Sequence, residues 1–264
     1  MFSRFKVEMP RLPTLAWAMI SAKPWSIEAV VRLFLGVLMT LCFGIFAAGL
    51  METKKLDLSK DQREFWQMLV LIGSFQGAAL IWITNFLRQS NISWRMAFGL
   101  RPPSRSLAAA SGLAVGVLIL PAMWLLQMGS AMLMEWLKFK PVSQAAVEEL
   151  QNSGLSVPEK TLFAVFTILL APVAEEVLFR GILYPTVKQA GHPRWALWGT
   201  SVLFGAMHVN MAALVPLVFL AVVLVFLYEA SDSLLTPIAT HCMFNAINYL
   251  YLVFPDFFNR LHLP

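Results

Sequence analysis

The stretch Leu169-Leu-Ala-Pro-Val-Ala-Glu-Glu-Val-Leu-Phe-Arg-Gly181 places two adjacent carboxylates, Glu175 and Glu176, inside a run of apolar residues. Arg180 follows one helical turn after Glu176. Ionisable side chains at membrane depth are costly and rare, and where they occur they usually serve a function. The stretch therefore predicts a membrane-embedded helix that carries a functional site.

The composition of the whole chain is that of a polytopic membrane protein. Of its 264 residues, 58% are hydrophobic and 13% are charged, whereas a soluble domain has about a quarter of its residues charged. Several segments reach the ~20 apolar residues that a spanning helix needs. The basic residues are scattered over loops rather than gathered in a stripe, so we expect a lipid bilayer and no nucleic acid as a partner.

The sequence predicts an all-α, polytopic transmembrane bundle of about seven or eight spans, with a polar cavity among the later ones. We divide the chain into a basic N-terminal tail (1–26), N-terminal membrane helices and loops (27–160), a catalytic membrane core (161–254) and a C-terminal tail (255–264). Pro121 is expected to kink the third span, and the polar loop at 135–160 to hold a short amphipathic helix. The spans are expected at residues 33–50, 65–87, 107–134, 161–187 and 234–254, with two more within 195–228.

The segment 195–228 is too short for two full spans and a turn, which need at least ~40 residues. One of its helices must be short, or the turn near Val209 must lie below the membrane surface. Irregular backbone at membrane depth is tolerated only where it is buried in protein or lines a wet cavity. The length therefore predicts a polar cavity beside His208.

The basic residues indicate an orientation with the N-terminus inside. With seven spans, ten lysines and arginines fall in inner loops and eight in outer segments, and Arg32 and Arg180 raise the inner number to twelve. The positive-inside rule favours this orientation. We expect an integral, multi-pass protein of the cell membrane.

Helical spacing separates the roles of the two glutamates. Glu176 and Arg180 stand at i and i+4 and are predicted to form an ion pair. Glu175 lies about 140° around the helix from Arg180 and has no local cation. A carboxylate in this setting is suited to act as a general base.

Two later segments add polar groups at the same depth. His208 follows Phe204 by one turn, so the two rings are expected to pack together. His241, Asn245 and Asn248 share one helical stripe, which by itself is also typical of a polar seam between membrane helices. Groups of these types need one another for hydrogen bonding when they are buried.

The ordered set Glu175-Glu176-x-x-x-Arg180-Gly181, Phe204-x-x-x-His208 and His241-x-x-x-Asn245 resembles the CPBP family. This family comprises the CAAX proteases and bacteriocin-processing proteins, including the type II CAAX prenyl endopeptidases. All three signatures match, spread over about 70 residues, while residues 1–160 offer no motif for comparison.

The resemblance implies an intramembrane endopeptidase with a helical-bundle core and a conical cavity that opens to the cytosol. Carried over by position, Glu175 and His208 would activate the attacking water, and His241 and Asn245 would stabilise the oxyanion. Glu176, Arg180 and Phe204 would be supporting residues. The substrate would be a membrane-bound protein or peptide: a prenylated tail, a bacteriocin leader or another membrane protein.

A zinc mechanism uses nearly the same atoms. Glu175 or Glu176, His208 and His241 are chemically suited to be three zinc ligands, with water as the fourth. We favour a reaction without a cofactor, because Asn245 is a poor zinc ligand but a good oxyanion donor.

Three other functions use parts of the same pattern. Buried Glu and His chains also occur in transporters and proton relays. A non-catalytic membrane scaffold of the immunity type would keep the fold but has little need for Glu175. A serine peptidase would pair Ser201 with His241 and would leave both glutamates unexplained.

Overall fold

The computed structural model describes residues 23–53, 59–100, 105–139 and 156–260 of the chain. This part is built from helices and contains no strand, which confirms the predicted all-α bundle. The predicted basic tail up to residue 22, the predicted short helix where it falls within 140–155, and residues 261–264 of the C-terminal tail lie outside the described residues.

In chain order the described helices are α1 (Ile27–Thr53), α2 (60–89), α3 (Trp94–Ala97), α4 (Arg105–Trp136), α5 (Val157–Gln189), α6 (195–206), α7 (Met211–Ser231), α8 (Leu235–Val253) and α9 (Pro255–Arg260). Five of them, α1, α2, α4, α5 and α7, are long and apolar enough to cross a membrane. The helix α8 is also long but carries the predicted site residues His241 and Asn245, and α6 is short. These five helices, together with α6 and α8, lie where the spans were predicted.

Local sequence signals set the starts of two spans. At α2, the Ser59 hydroxyl accepts from the backbone N–H of Gln62, and the Gln62 side chain accepts from the backbone of Ser59. At α5, Ser156 and Glu159 form a capping box in which the backbone N–H of Ser156 donates to Glu159 Oε2, and Pro158 stands between them in the first turn. Such boxes satisfy N–H groups that have no partner within the helix.

The helix α4 is interrupted at Ile119, two residues before Pro121, where the sequence predicts a kink. Its first part, Arg105–Leu118, packs on α8, and its second part, Leu120–Trp136, packs on α7. A Cβ atom at Gly112 would lie 2.4 Å from a backbone oxygen of α8, so only glycine allows this approach. Small residues commonly bring membrane helices this close.

The outer surface of the bundle is apolar. Phe43 and Phe46 of α1 are 67% and 65% exposed, and Trp195 of α6 is 73% exposed. A surface of this kind would drive a soluble protein to aggregate, whereas it suits contact with lipid tails. The exposed apolar side chains and the five long helices support an integral membrane protein.

Side-chain contacts fix the directions of the helices. The Trp25 indole N–H, just before α1, donates to Thr186 Oγ1 near the end of α5 at 3.0 Å. The start of α1 and the end of α5 therefore lie on the same face of the bundle, named here the N-terminal face. The described residues 23–26, 89–100, 189–195 and 231–235 form that face, and residues 59–60, 136–139, 156–157, 207–211 and 253–260 lie toward the opposite face.

Lys23 fastens the chain before α1 to the N-terminal face. Its Nζ donates to the Ala97 carbonyl at 2.6 Å and stands 5.8 Å from the centre of the Tyr228 ring. Burial lowers the pKa of the Lys23 ammonium, and the negative charge of Asp232 opposes that shift. The contacts join α3 and the end of α7 to the beginning of the first span.

Candidate active site

The helix α5 is irregular on both sides of the two glutamates. The regular segment Ala171–Glu176 stands between two wide π-helical turns, Phe166–Leu170 and Val177–Leu183. A π-helical turn shifts the angular register of the residues that follow and frees backbone carbonyls, and such turns are common at functional sites. The residues after Val177 are therefore displaced from the angles that they would have on an ideal α-helix.

Glu176 is the buried centre of the site. Its Oε1 accepts hydrogen bonds from Arg180 Nη1 at 2.8 Å and from His241 Nδ1 at 2.9 Å. The three residues are 0%, 2% and 3% exposed, respectively. The ion pair predicted from the i, i+4 spacing is present, and it includes a partner from α8 that the spacing did not reveal.

Arg180 links three helices. Its Nη2 donates to the Ala221 carbonyl of α7 at 3.2 Å, and its guanidinium carbon lies 4.4 Å from the centre of the Phe204 ring of α6. A guanidinium over an aromatic face is attracted by the ring, and more strongly when both are removed from water. The positive charge is thus balanced by Glu176 and enclosed by neutral groups.

Glu175 has different surroundings from its neighbour. Its side chain is 13% exposed, and its Oε2 lies 4.0 Å from Nε2 of His241. The same histidine therefore faces both glutamates, with Nδ1 bonded to Glu176 and Nε2 near Glu175. The two carboxylates differ in their partners, in agreement with the division drawn from the sequence.

His208 lies in the turn between α6 and α7. Its Nδ1 is 2.9 Å from the Phe204 carbonyl, which can only accept, so Nδ1 carries the proton in this contact and Nε2 points elsewhere. The helix α6 ends at Ala206, and Val209 has a positive φ of 50°. The short helix and the turn expected from the length of the segment are both present.

Phe204 lies between the two histidines. Its ring centre is 5.1 Å from that of His208 and 5.8 Å from that of His241. The predicted packing of Phe204 against His208 is therefore confirmed. The Phe204 ring therefore packs against both histidines, His208 in the turn after α6 and His241 in the middle of α8.

The two asparagines of α8 differ in their contacts. Asn245 Nδ2 donates to the Thr167 carbonyl at 2.8 Å, across to the first wide turn of α5. Asn248 Nδ2 donates within its own helix, to the Phe244 carbonyl at 2.8 Å. The polar seam predicted along α8 therefore connects to α5 through His241 and Asn245, while Asn248 turns its amide back to α8.

Two of the other chemical arrangements considered above are not formed. Ser201 Oγ is buried without a hydrogen-bond partner, and His241 Nδ1 is bonded to Glu176, so the serine–histidine pair is absent. Within the described ranges, no three His, Cys, Asp or Glu side chains are grouped closely enough to hold a metal ion. The zinc set of Glu175, His208 and His241 is thus not assembled among these residues.

A second buried carboxylate was not predicted. Glu229, near the end of α7, accepts from the Tyr184 hydroxyl at 2.5 Å and from Lys188 Nζ at 2.6 Å. The sequence indicates this contact only weakly, through Glu229 near the end of one span and Lys188 in the basic turn that follows another. The Thr167 carbonyl was also missed, because a π-helical turn leaves no clear mark in the sequence.

Residues 157–247 match the family model described as "Type II CAAX prenyl endopeptidase Rce1-like". The matched segment contains Glu175, Glu176, His208, His241 and Asn245, and it confirms the resemblance drawn from their spacing. No curated protein and no solved structure gave a significant match to the chain. The family match supports a membrane protease.

Proposed function

We propose that this chain, whose residues 157–247 match the type II CAAX prenyl endopeptidase Rce1-like family, is an intramembrane endopeptidase of the cell membrane. Its substrates are membrane-anchored proteins or peptides. The observation that carries the proposal is the position of His241, which is bonded to Glu176 and faces Glu175 on its other side.

In the proposed reaction, Glu175 and His208 activate a water molecule. The water oxygen attacks the carbonyl carbon of the scissile peptide bond, and its proton passes to the Glu175 carboxylate. His208 supports this step because its Nδ1 is occupied by the Phe204 carbonyl, which leaves Nε2 as an acceptor for the water. General-base assistance of this kind accelerates a reaction by about 10²–10⁴-fold.

His241 and Asn245 stabilise the negative oxygen of the tetrahedral intermediate. One amide hydrogen of Asn245 is used by the Thr167 carbonyl, and the second is available to the oxyanion. His241 presents Nε2, which donates when both ring nitrogens carry protons. The protonated Glu175 then gives its proton to the leaving amine, so the peptide bond breaks and the carboxylate is restored.

Glu176 and Arg180 hold His241 and the fold rather than touch the substrate. Both are almost fully buried, and their charges neutralise each other. Glu176 orients the His241 ring and stabilises the form in which both ring nitrogens carry protons, as a carboxylate does for the histidine in other hydrolases. Removing it would therefore misdirect His241 as well as leave Arg180 unpaired.

The reaction can be tested with the purified full-length protein in lipid nanodiscs and a library of tagged, membrane-anchored peptides. Products are identified by mass spectrometry for the wild type, for Glu175→Ala and for Glu135→Ala, a control with an exposed glutamate at the end of α4. We expect cleavage by the wild type and the control, and a loss of at least about 100-fold in Glu175→Ala.

Equal cleavage by the wild type and Glu175→Ala would exclude this mechanism. A parallel assay with a chelator separates the two versions of it, because activity lost with the chelator and restored by zinc would require a metal. Transport of a solute that is lost in Glu175→Gln, without any cleavage by the wild type, would favour a transporter instead.

A further inference from the structure

The helix α2 contains a π-helical turn at the depth of the two glutamates. The turn spans Gly73–Gly77 and packs on the regular segment Ala171–Glu176 of α5, named here the glutamate segment. Single π-helical turns are rare and occur frequently at functional sites. The catalytic residues proposed above lie on α5 and α8 and in the turn after α6, so this turn brings a further helix to the site.

The position of Gln76 on this turn directs its side chain away from α1. Ser74 faces α1, because a Cβ added at Gly44 of that helix would collide with the Ser74 hydroxyl. Gln76 stands two residues further along, which is about 160° around the helix. It is also one turn before Ala79, which is fully buried in the same core cluster as Ala174 of the glutamate segment. Gln76 therefore continues the buried face of α2.

The fold does not use the Gln76 amide. Its Oε1 is buried and has no hydrogen-bond partner within the described ranges. Gln67, nine residues earlier on α2, differs in this respect, because its Nε2 donates to the Ala48 carbonyl of α1 at 3.0 Å. A buried amide oxygen without a partner destabilises a fold. A structural role in helix packing therefore accounts for Gln67 but not for Gln76.

The same turn borders free space. A Cβ added at Gly73 or at Gly77 would meet no described atom within 4 Å, in contrast to Gly44 of α1. Gly77 directly follows Gln76, and Gly73 stands at the other end of the turn. Glu175, on the segment that packs against this turn, is itself 13% exposed. A peptide main chain thus has room beside Gln76.

A peptide that is cleaved at this depth needs hydrogen-bond partners. Its scissile segment has to be unwound to be attacked, and its N–H and C=O groups then lack the partners that a helix provides. In the hydrocarbon region no water replaces those partners. A glutamine amide offers one acceptor oxygen and two donor hydrogens, which match a main-chain N–H and C=O. Its terminal torsion is soft, so the amide can turn toward a bound peptide.

We propose that Gln76 binds the main chain of the substrate next to the scissile bond, with Oε1 accepting from a peptide N–H. This inference rests on the proposed function, because it assigns a binding role within the same site. Gln76 takes no part in making or breaking a bond. An interaction that is equally strong in the bound substrate and in the transition state lowers KM and leaves kcat unchanged. Recognition of this kind reads an unwound main chain rather than particular side chains.

The kinetics of Gln76→Met and of the control Gln67→Met, with each full-length protein in nanodiscs, test the binding role. Methionine is similar in length to glutamine and a good helix former, but it has no amide. For Gln76→Met we expect KM to rise about 3–10-fold with kcat unchanged. The Tm of Gln76→Met is expected to stay the same or to rise, because an unpaired buried amide is removed. For Gln67→Met we expect both kinetic constants to stay as in the wild type.

Replacing single peptide bonds of the substrate by esters tests which group Gln76 recognises. An ester has no N–H, and the scissile bond itself is left as an amide. The probe is the library peptide that the wild type cleaves fastest, or the one bound most tightly if none is cleaved. Dissociation constants are measured in a Glu175→Gln background, so that the peptide stays intact. At one position we expect the ester to weaken binding about 3–10-fold with Gln76 present and less than about twofold in Gln76→Met.

The outcomes separate this inference from the proposed function. Equal KM values and equal dissociation constants with and without Gln76→Met would overturn the inference, while cleavage by the wild type would leave the proposed function intact. A lower kcat at constant KM would also overturn it, because Gln76 would then act on the reaction step. The absence of any ester position that distinguishes the two proteins would overturn recognition through an N–H. Binding that depends on Gln76, without cleavage of any peptide by the wild type, would refute the peptidase activity and support the binding role.

Discussion

Replacing Glu176 by glutamine removes the negative charge that balances Arg180. Arg180 is 2% exposed and lies against Phe204 and a backbone carbonyl, so water cannot solvate its charge in place of Glu176. Breaking a buried ion pair by removing one partner costs about 3–5 kcal/mol, because it leaves an uncompensated charge. Glutamine keeps an oxygen that can still accept from Arg180, so we expect the lower end of this range.

A matched control is available on α2. Lys60 and Glu64 are also spaced i, i+4 with an N–O distance of 3.6 Å, but their side chains are 76% and 41% exposed. Exposed helix pairs of this kind contribute about 0.3–0.5 kcal/mol. Glu64→Gln therefore makes the same chemical change in a pair that water can solvate, and we expect almost no loss of stability.

The measurement is thermal unfolding of the purified protein in detergent, followed by tryptophan fluorescence. For a chain of this size, about 3 kcal/mol lowers the Tm by roughly 6–12 °C. We expect that decrease for Glu176→Gln and less than about 2 °C for Glu64→Gln. Adding Arg180→Met to Glu176→Gln removes the unpaired charge, so the double variant is expected to recover at least half of the loss.

Equal Tm values for Glu176→Gln and Glu64→Gln would show that the buried charge of Arg180 does not depend on Glu176, as would a double variant less stable than the single one. Cleavage by Glu176→Gln is also expected to fall, because His241 loses the carboxylate that orients its ring. The stability result separates Glu176, which supports the fold, from Glu175, whose replacement is expected to affect cleavage with little change in Tm.

Two further pairs of substitutions, each a test and its control, probe the packing and the oxyanion donors. Gly116→Ala would place a Cβ 2.6 Å from a side-chain carbon of α8 and 2.8 Å from a backbone oxygen, so we expect the free energy of unfolding to fall by about 1–3 kcal/mol. At Gly129, an added Cβ meets nothing within 4 Å. Gly129→Ala is therefore expected to be neutral or slightly stabilising in the same unfolding assay. Asn245→Leu is expected to lower kcat by about 10²–10³-fold with little change in KM, while Asn248→Leu, whose amide bonds its own helix, is expected to keep most of its activity. A stable Gly116→Ala, or equal kcat values for the two leucine variants, would contradict these expectations.

The chain's periodicity and composition were enough to predict the class of fold and the positions of its spans. Long apolar segments must form helices in a bilayer, because each backbone N–H and C=O has to be bonded within its own segment. The interruption before Pro121 and the shortness of α6 also followed from sequence, one from the missing N–H of proline and the other from length alone.

The contacts among the polar groups were predictable only in part. The i, i+4 spacing predicted the Glu176–Arg180 pair, because both residues belong to one helix. The bond from His241 to Glu176 was not predicted, since it depends on how α8 packs against α5. The wide turns of α5 were also beyond the sequence, and they decide that the Thr167 carbonyl is bonded by Asn245.

Hydrophobic length and helical period are local properties, so they were enough to predict that a membrane helix carries two glutamates and that histidines and an asparagine lie at similar depth. Packing between distant helices decides which glutamate is enclosed with Arg180 and which stays partly exposed near His241. The same packing brings the start of α1 and the end of α5 to one face of the bundle, because relative helix direction is not encoded in any single segment.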